Sequence, residues 1–299
     1  MRPFDGRRVL LGVTGGIAGY KAAWLARLLS LAGAEVDVVM TRAATEFVGP
    51  ITFEALTGRP VHTDIFAVGR ALDHIKLARE AHAIVVAPAT ADFMARAAQG
   101  RADDLLAAIL LANGDPRVHA PVLLVPAMND RMWAHPQTMG HAAHLRSIGY
   151  ALLEPETGML AAGEGSGPGR LPEPETIFAH VASLLEPKAL AAMRIVVTAG
   201  PTREPIDPVR FLSNRSSGRM GVAIAAAAWR RGAEVTLIAG PLEVTVPIGV
   251  TVVTVETTEE MRAAVVAALP GADALIMAAA PADFRAASPA TAKIKKASA

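Results

Sequence analysis

The sequence predicts an α/β protein made of two doubly wound parallel-sheet domains. Short runs rich in Val, Ile and Leu recur along the chain, each followed by Gly, Pro or Thr and then by a stretch with helical spacing. Strand–helix alternation of this kind builds parallel sheets. The runs are continuous rather than alternating, as strands covered on both faces require. The whole series also occurs twice, on either side of a Pro/Gly/Glu-rich stretch.

Residues 8–13 read as the first strand and 18–32 as the helix that follows its glycine turn. Strands at 36–40, 83–87 and 122–125 continue the first series, which ends near 150–153. Next comes ETGMLAAGEGSGPGR, residues 156–170, rich in glycine and without an apolar period. It is long for a passive connection and reads as an irregular flap over a site. A helix at 175–185 closes the first series, and the boundary falls near 186–192, giving domains 1–188 and 189–299. The second series runs as strand 194–198, helix 217–232, strands 235–239 and 250–255, helix 258–269 and strand 274–278. The arrangement is Rossmann/flavodoxin-like.

Bulk properties narrow the function. The chain has 299 residues and 52% apolar composition, enough for two buried cores, and its net charge of +1 disfavours a nucleic-acid protein held by a basic face. It contains no cysteine, which excludes disulfide scaffolds, thiolate metal sites and thiol nucleophiles. The N-terminal stretch MRPFDGRRVLLGVTGG is too short for a membrane span and lacks a signal peptide's cleavage pattern. The expectation is a cytoplasmic protein whose partners are small molecules or copies of itself, with no nucleic acid and no membrane.

In doubly wound sheets, ligands sit beyond the carboxyl ends of the strands, so the segments just after the apolar runs are the candidates. After the first strand comes Gly12-Val-Thr-Gly15-Gly16-Ile17-Ala-Gly19-Tyr-Lys21. It reads either as a phosphate-binding turn that aims helix N–H groups at an anion or as a tight turn without a ligand. It matches neither G-x-G-x-x-G nor the P-loop, so neither NAD nor ATP is demanded. After the third and fourth runs come Pro88-Ala89-Thr90-Ala91-Asp92 and Pro126-Ala-Met-Asn129-Asp-Arg-Met132-Trp. Small hydroxyl and carboxyl residues can approach a flat ring, and an Asn can hold a carboxylate or amide. His74, in Leu-Asp-His74-Ile, is a general-base candidate if it faces the pocket, and a structural histidine otherwise.

Together, GGIAGYK, the His-Ile pair, PATAD, PAMNDRMW and the loop ending GPGR resemble the flavin-dependent cysteine decarboxylase family. More closely, they resemble the decarboxylase half of bacterial bifunctional phosphopantothenoylcysteine decarboxylase/phosphopantothenate–cysteine ligases. The resemblance implies FMN bound at a trimer interface of a homo-oligomer, up to a dodecamer. It puts Gly15, Gly16, Ile17 and Thr41 around the phosphate and Pro88, Ala89, Thr90 and Asp92 near the flavin. By the same resemblance, His74 is the catalytic histidine, Asn129 holds the departing carboxylate, and Met132 and Arg170 contact substrate. The implied reaction is thiol oxidation, loss of carbon dioxide, and reduction of the enethiol to 4′-phosphopantetheine.

The second series carries Val-Thr-Ala-Gly-Pro-Thr-Arg203-Glu-Pro and then Arg210-Phe-Leu-Ser-Asn214-Arg-Ser216-Ser217-Gly218-Arg219, expected to open a helix as an anion cradle. Asp283-Phe284 and the Lys293–Lys296 cluster follow. These resemble the ligase half, which uses CTP and Mg²⁺ to form an acyl-cytidylate. Asn214 and Lys293 would be its catalytic residues; Arg203, Ser216, Ser217, Gly218, Asp283 and Phe284 would contact nucleotide, and Asp283 the metal.

Three departures qualify the resemblance. Arg219 replaces a usual Lys; the chain ends three residues after Lys296, so the ligase half is expected to be incomplete; and Ala162 stands where the family carries the cysteine that protonates the enethiol. Two other readings remain: a flavin-binding relative without turnover that serves as a regulatory subunit, and an NADP-linked reductase. The second strand ends Met40-Thr41-Arg42, with no acidic residue to hold an NAD ribose, and Arg42 leaves only NADP.

Overall fold

The structure is a computed structural model and describes residues 4–66 and 68–295. The chain divides into two compact units, Met1–Leu185 and Glu186–Ala299.

The first unit opens with β1 (Arg8–Val13), α1 (Gly19–Leu31), β2 (Glu35–Met40), α2 (Arg42–Thr45), α3 (Pro50–Thr57) and α4 (Asp73–Glu80). It continues through β3 (Ala83–Ala89), α5 (Ala91–Ala98), α6 (Leu105–Ala112), β4 (Val122–Pro126), α7 (Asp130–Ala134), α8 (Pro136–Ser147) and β5 (Ala151–Leu152). It closes with β6 (Glu156–Met159), β7 (Ser166–Arg170) and α9 (Pro174–Leu185). The five-stranded parallel sheet has the order β2-β1-β3-β4-β5. Alternate residues of β1 serve opposite faces. Val9, Leu11 and Val13 pack with Leu25 and Leu29 of α1 and Val181 of α9, while Leu10 joins Phe93, Leu106 and Leu145 of α5, α6 and α8. Every residue of β3 is buried, as its unbroken apolar run requires.

Strand order reverses between β1 and β3. The connections leaving those two strands therefore run to opposite faces and leave a crevice at their carboxyl ends, the switch point of a doubly wound sheet.

The glycine-rich stretch at 156–170 differs from its expected irregular form. It is an antiparallel ribbon, β6 against β7, with Met159 opposite Ser166. Gly163 and Gly165 take φ of 88° and 81° in the connecting turn, where a side chain would be strained. The missing apolar period has a cause: the ribbon's inward positions are glycines rather than large apolar residues. Gly167 and Gly169 are buried, and the residues around them, Ser166 and Pro168, are exposed.

The second unit comprises β8 (Arg194–Ala199), β9 (Arg203–Pro205), β10 (Phe211–Ser213), α10 (Arg219–Arg230), β11 (Glu234–Ala239), β12 (Thr251–Thr254), α11 (Thr258–Ala268) and β13 (Ala274–Met277). Its parallel sheet has the order β12-β11-β8-β13. A reciprocal capping box, Thr257 with Glu260, starts α11. The antiparallel β9–β10 ribbon was not expected, because its strands are short and Phe211 and Leu212 are exposed. Asp207 shapes its tip. The carboxylate accepts from the backbone N–H of Val209 (2.9 Å) and Arg210 (2.8 Å) and from the Arg210 guanidinium (2.6 Å). These bonds hold the Asp207 carboxyl well below the usual carboxylate range. Among the described residues, no helix is long and apolar enough to cross a membrane.

Candidate functional site

A cavity of about 420 Å³ lies at the carboxyl ends of β1, β3 and β4. Its floor is stitched across the switch point by Thr14, a buried residue just past β1. The Thr14 hydroxyl donates to the carbonyl of Pro88 (2.8 Å) and accepts from the N–H of Thr90 (3.1 Å). Gly15 packs so close to α2 that an added Cβ would stand 2.4 Å from the Cβ of Ala43. Only glycine permits that approach, and it leaves the start of α1 open to the cavity. Thr90 caps α5 by accepting from Phe93 N–H, and Asn129 caps α7 by accepting from Arg131 N–H (2.9 Å).

The β6–β7 ribbon forms one wall. An added Cβ on Gly169 would lie 2.2 Å from the carbonyl oxygen of Met128, and one on Gly167 would lie 2.9 Å from Asp130 Cβ. Met128 N–H donates to the carbonyl of Gly169 (3.0 Å), so the ribbon docks backbone to backbone on the segment leaving β4. At the ribbon's base, the buried Lys21 of α1 donates to the carbonyl of Leu171 (2.9 Å) and pairs with Glu173 (3.2 Å). Arg170 pairs with the same Glu173 oxygen. The lining is mainly Gly, Ala, Met, Leu and Ile, with Lys21, Arg170 and Glu164 as its charged members. That chemistry suits a flat aromatic group with an anionic tail.

Of the residues expected from the sequence, Gly15, Gly16, Ile17, Pro88, Thr90, Asn129, Met132 and Arg170 all line this cavity. Others do not. Thr41 is buried as the cap of α2, beside the glycine turn but outside the lining, and Ala89 is buried within β3. Asp92 points outward from α5 and pairs with Arg96 at 3.0 Å. His74 lies on α4, which buries Leu77 and Ala78 against the sheet, and does not line the cavity of the single chain. Ala162 is exposed at the ribbon's turn, and its neighbours Ala161 and Glu164 line the cavity instead. Tyr20 and Lys21 end the glycine motif but were given no role of their own from the sequence. The signal for Lys21 is its register: it falls on the same face of α1 as the buried Leu25 and Leu29.

In the second unit, Arg203, Asn214, Ser216 and Ser217 line a more open cavity of about 600 Å³. Arg203 lies over the Phe211 ring at 4.8 Å, and Asn214 donates its amide to the carbonyl of Pro281 (2.7 Å). Gly218 has φ of 77° and packs on Leu242 at the start of α10. Asp283, Phe284 and Lys293 are exposed and do not line this cavity. Lys293 is instead held near the ribbon's other end, where Ile294 N–H donates to Asp207 (3.1 Å). Lys296 lies outside the described residues. Among the described residues, no group of three His, Asp or Glu side chains is placed to hold a metal, so Asp283 has no companion ligands of that kind.

Residues 2–186 match the flavoprotein family model, and 190–299 match the model of the DNA/pantothenate metabolism flavoprotein C-terminal domain. The coenzyme A biosynthesis bifunctional protein CoaBC of Mycobacterium tuberculosis H37Rv is 53% identical over 296 residues, covering 97% of this chain and 69% of that protein. The protein of that name in Vibrio vulnificus YJ016 is 44% identical over 298 residues, covering 99% and 73%. Among solved structures, a cysteine-to-serine mutant of PPC decarboxylase complexed with pantothenoylaminoethenethiol superposes with a TM-score of 0.51 at 30% identity. It covers 58% of this chain and 96% of its own. The FMN-binding protein AtHal3 gives 0.50 at 30% identity, covering 58% and 94%.

Proposed function

The chain belongs to the family of coenzyme A biosynthesis bifunctional proteins, and on that premise we propose that its first unit is an FMN-dependent decarboxylase of N-(4′-phosphopantothenoyl)cysteine. The observation that carries this reading is the cavity at the β1/β3 switch point, walled by small residues and closed on one side by the ribbon. The residues present fit the cofactor. Gly15, Gly16 and Ile17 at the start of α1 would hold its phosphate, and Pro88 and Thr90 would lie beside its ring. When bound, FMN supplies a reversible two-electron acceptor. The protein's share is to bind and orient. Asn129 offers amide donors to the substrate carboxylate, Met128 and Met132 wall off water, and Arg170 supplies positive charge.

His74 does not line the cavity within one chain, and the reading gives it to a neighbouring copy in a homo-oligomer. Support comes from the rim, where Ile17 and Tyr20 are 70% and 63% exposed. Ala162 carries a methyl group and has no proton to give to an enethiol. Decarboxylation is therefore expected to proceed while the final reduction lags. Incubating the yellow, flavin-loaded protein with substrate tests both steps: product mass should reveal an enethiol lighter than 4′-phosphopantetheine by a pair of hydrogen atoms. Ala162→Cys should convert it to full product. A colourless preparation that takes up no FMN overturns the reading.

For the second unit we propose binding of CTP with Mg²⁺ and phosphopantothenate, as in a ligase. The gathering of Arg203, Asn214, Ser216 and Ser217 around one cavity supports this. Titration calorimetry with CTP, with and without Mg²⁺, is the test, and absence of heat in both overturns it.

A further inference from the structure

Two cations of the first unit share one carboxylate at the base of the ribbon. The Lys21 side chain is 7% exposed, and its ammonium donates to the Leu171 carbonyl (2.9 Å) and to Glu173 Oε1 (3.2 Å). Arg170 donates to that same oxygen from the cavity side. The neighbouring Trp24 of α1 donates its indole N–H to Glu175 (2.9 Å). The segment that carries the ribbon back into α9 is thus fastened to α1 at three points.

The two cations are not equivalent. A buried ammonium removed from its partners would carry a large desolvation penalty, so Lys21 is bound to stay. Arg170 is 40% exposed and lines the cavity, so its exchange between Glu173 and another anion costs little. A guanidinium matches carboxylate and phosphate oxygens equally well.

We propose that Lys21 and Glu173 are positioning residues with distinct tasks. Lys21 latches the ribbon onto α1, and Glu173 holds Arg170 in reserve until an anionic group of the substrate enters the cavity and takes it. When Arg170 leaves, Lys21 keeps the Glu173 carboxylate neutralised. This rests on the reading that the first unit binds an anionic substrate.

The device makes substitutions at the two ends of one ion pair act in opposite directions. Glu173→Gln releases Arg170 and should lower the KM for phosphopantothenoylcysteine by about threefold, the scale of one partly exposed pair. Lys21→Met leaves Arg170 as the only cation on Glu173 and should raise KM by a similar factor. Lys21→Met should also speed amide hydrogen exchange across residues 156–170 by about tenfold, because a charge-assisted bond to the Leu171 carbonyl is lost. Exchange in β1 and β3 should stay at the parent rate, which also reports that the variant is folded. If both substitutions shift KM the same way, or neither shifts it, the reserve role is wrong. If exchange of the ribbon does not change, the latch is wrong. A parent protein that binds neither FMN nor substrate would sink the functional reading alone, and the exchange rates would still decide the latch.

Discussion

The two units repeat one plan with different surfaces. Each has a parallel sheet, a turn at the carboxyl end of its first strand, and an antiparallel ribbon beside the resulting cavity. In the first unit the ribbon is docked through buried glycines, and its cavity is lined mainly by apolar side chains. In the second the ribbon is largely exposed, and its cavity presents Arg203, Arg215, Asn214 and serines. The contrast is what the two proposed ligands rest on. A flat ring gains most from tight apolar walls, whereas a polyanion needs cations and donors that remain close to water. The same architecture yields both because the segments that follow the strands, together with the ribbons, bring different side chains to the two linings.

Ways to break the contrast can be ranked by size. The largest effect is expected at Gly169. Replacing it with Val drives a side chain into the Met128 carbonyl and lifts the ribbon, and a displacement of that kind should cost about 100-fold in decarboxylation. Flavin-coupled turnover reads it, while CTP binding to the second unit should be unaltered. Next is Thr14→Val, which leaves the Pro88 carbonyl and the Thr90 N–H without their buried partner; about 1–3 kcal/mol of stability should be lost, seen as a lower urea midpoint for the first unit.

Asp207 offers a pH test in the second unit. Its carboxyl is depressed in the folded state, so its stabilisation is fully present above the unfolded value of about 3.9 and fades as pH falls below it. Asp207→Asn should therefore lower stability at neutral pH and flatten the acid limb of a stability–pH curve. An unchanged limb would show that the carboxylate does not hold the ribbon tip. The smallest effect is expected for Phe211→Leu. It removes the ring under Arg203 and should weaken nucleotide binding by no more than about fivefold, which calorimetry can resolve.

The strands were legible because each is a continuous apolar run, and β1 begins and ends at the residues its pattern marks. The cavity was legible in its turns, since GGIAG, PATA and PAMND all follow strands of one sheet. The ribbons were not. β7 buries glycines, and β6 and β10 bury nothing fully, so none carries the alternating apolar period that announces a half-buried strand. Asp92 stands outside the single-chain cavity for a related reason. Its place after a strand is visible in the sequence, but the turn of α5 that points it outward to Arg96 is not. His74 shows the same limit, because α4's packing rather than its spacing keeps it out of the single-chain cavity.

By itself the sequence determined the two α/β units, the strand ends where ligands belong, and the absence of a thiol, since each is a local pattern or a composition. Only the tertiary structure decided that Lys21 and Arg170 meet on Glu173, roughly 150 residues from α1's own lysine in the chain, and that glycines dock the ribbon. Contacts between distant segments depend on how layers stack and which backbones approach, and no local pattern of side chains encodes that.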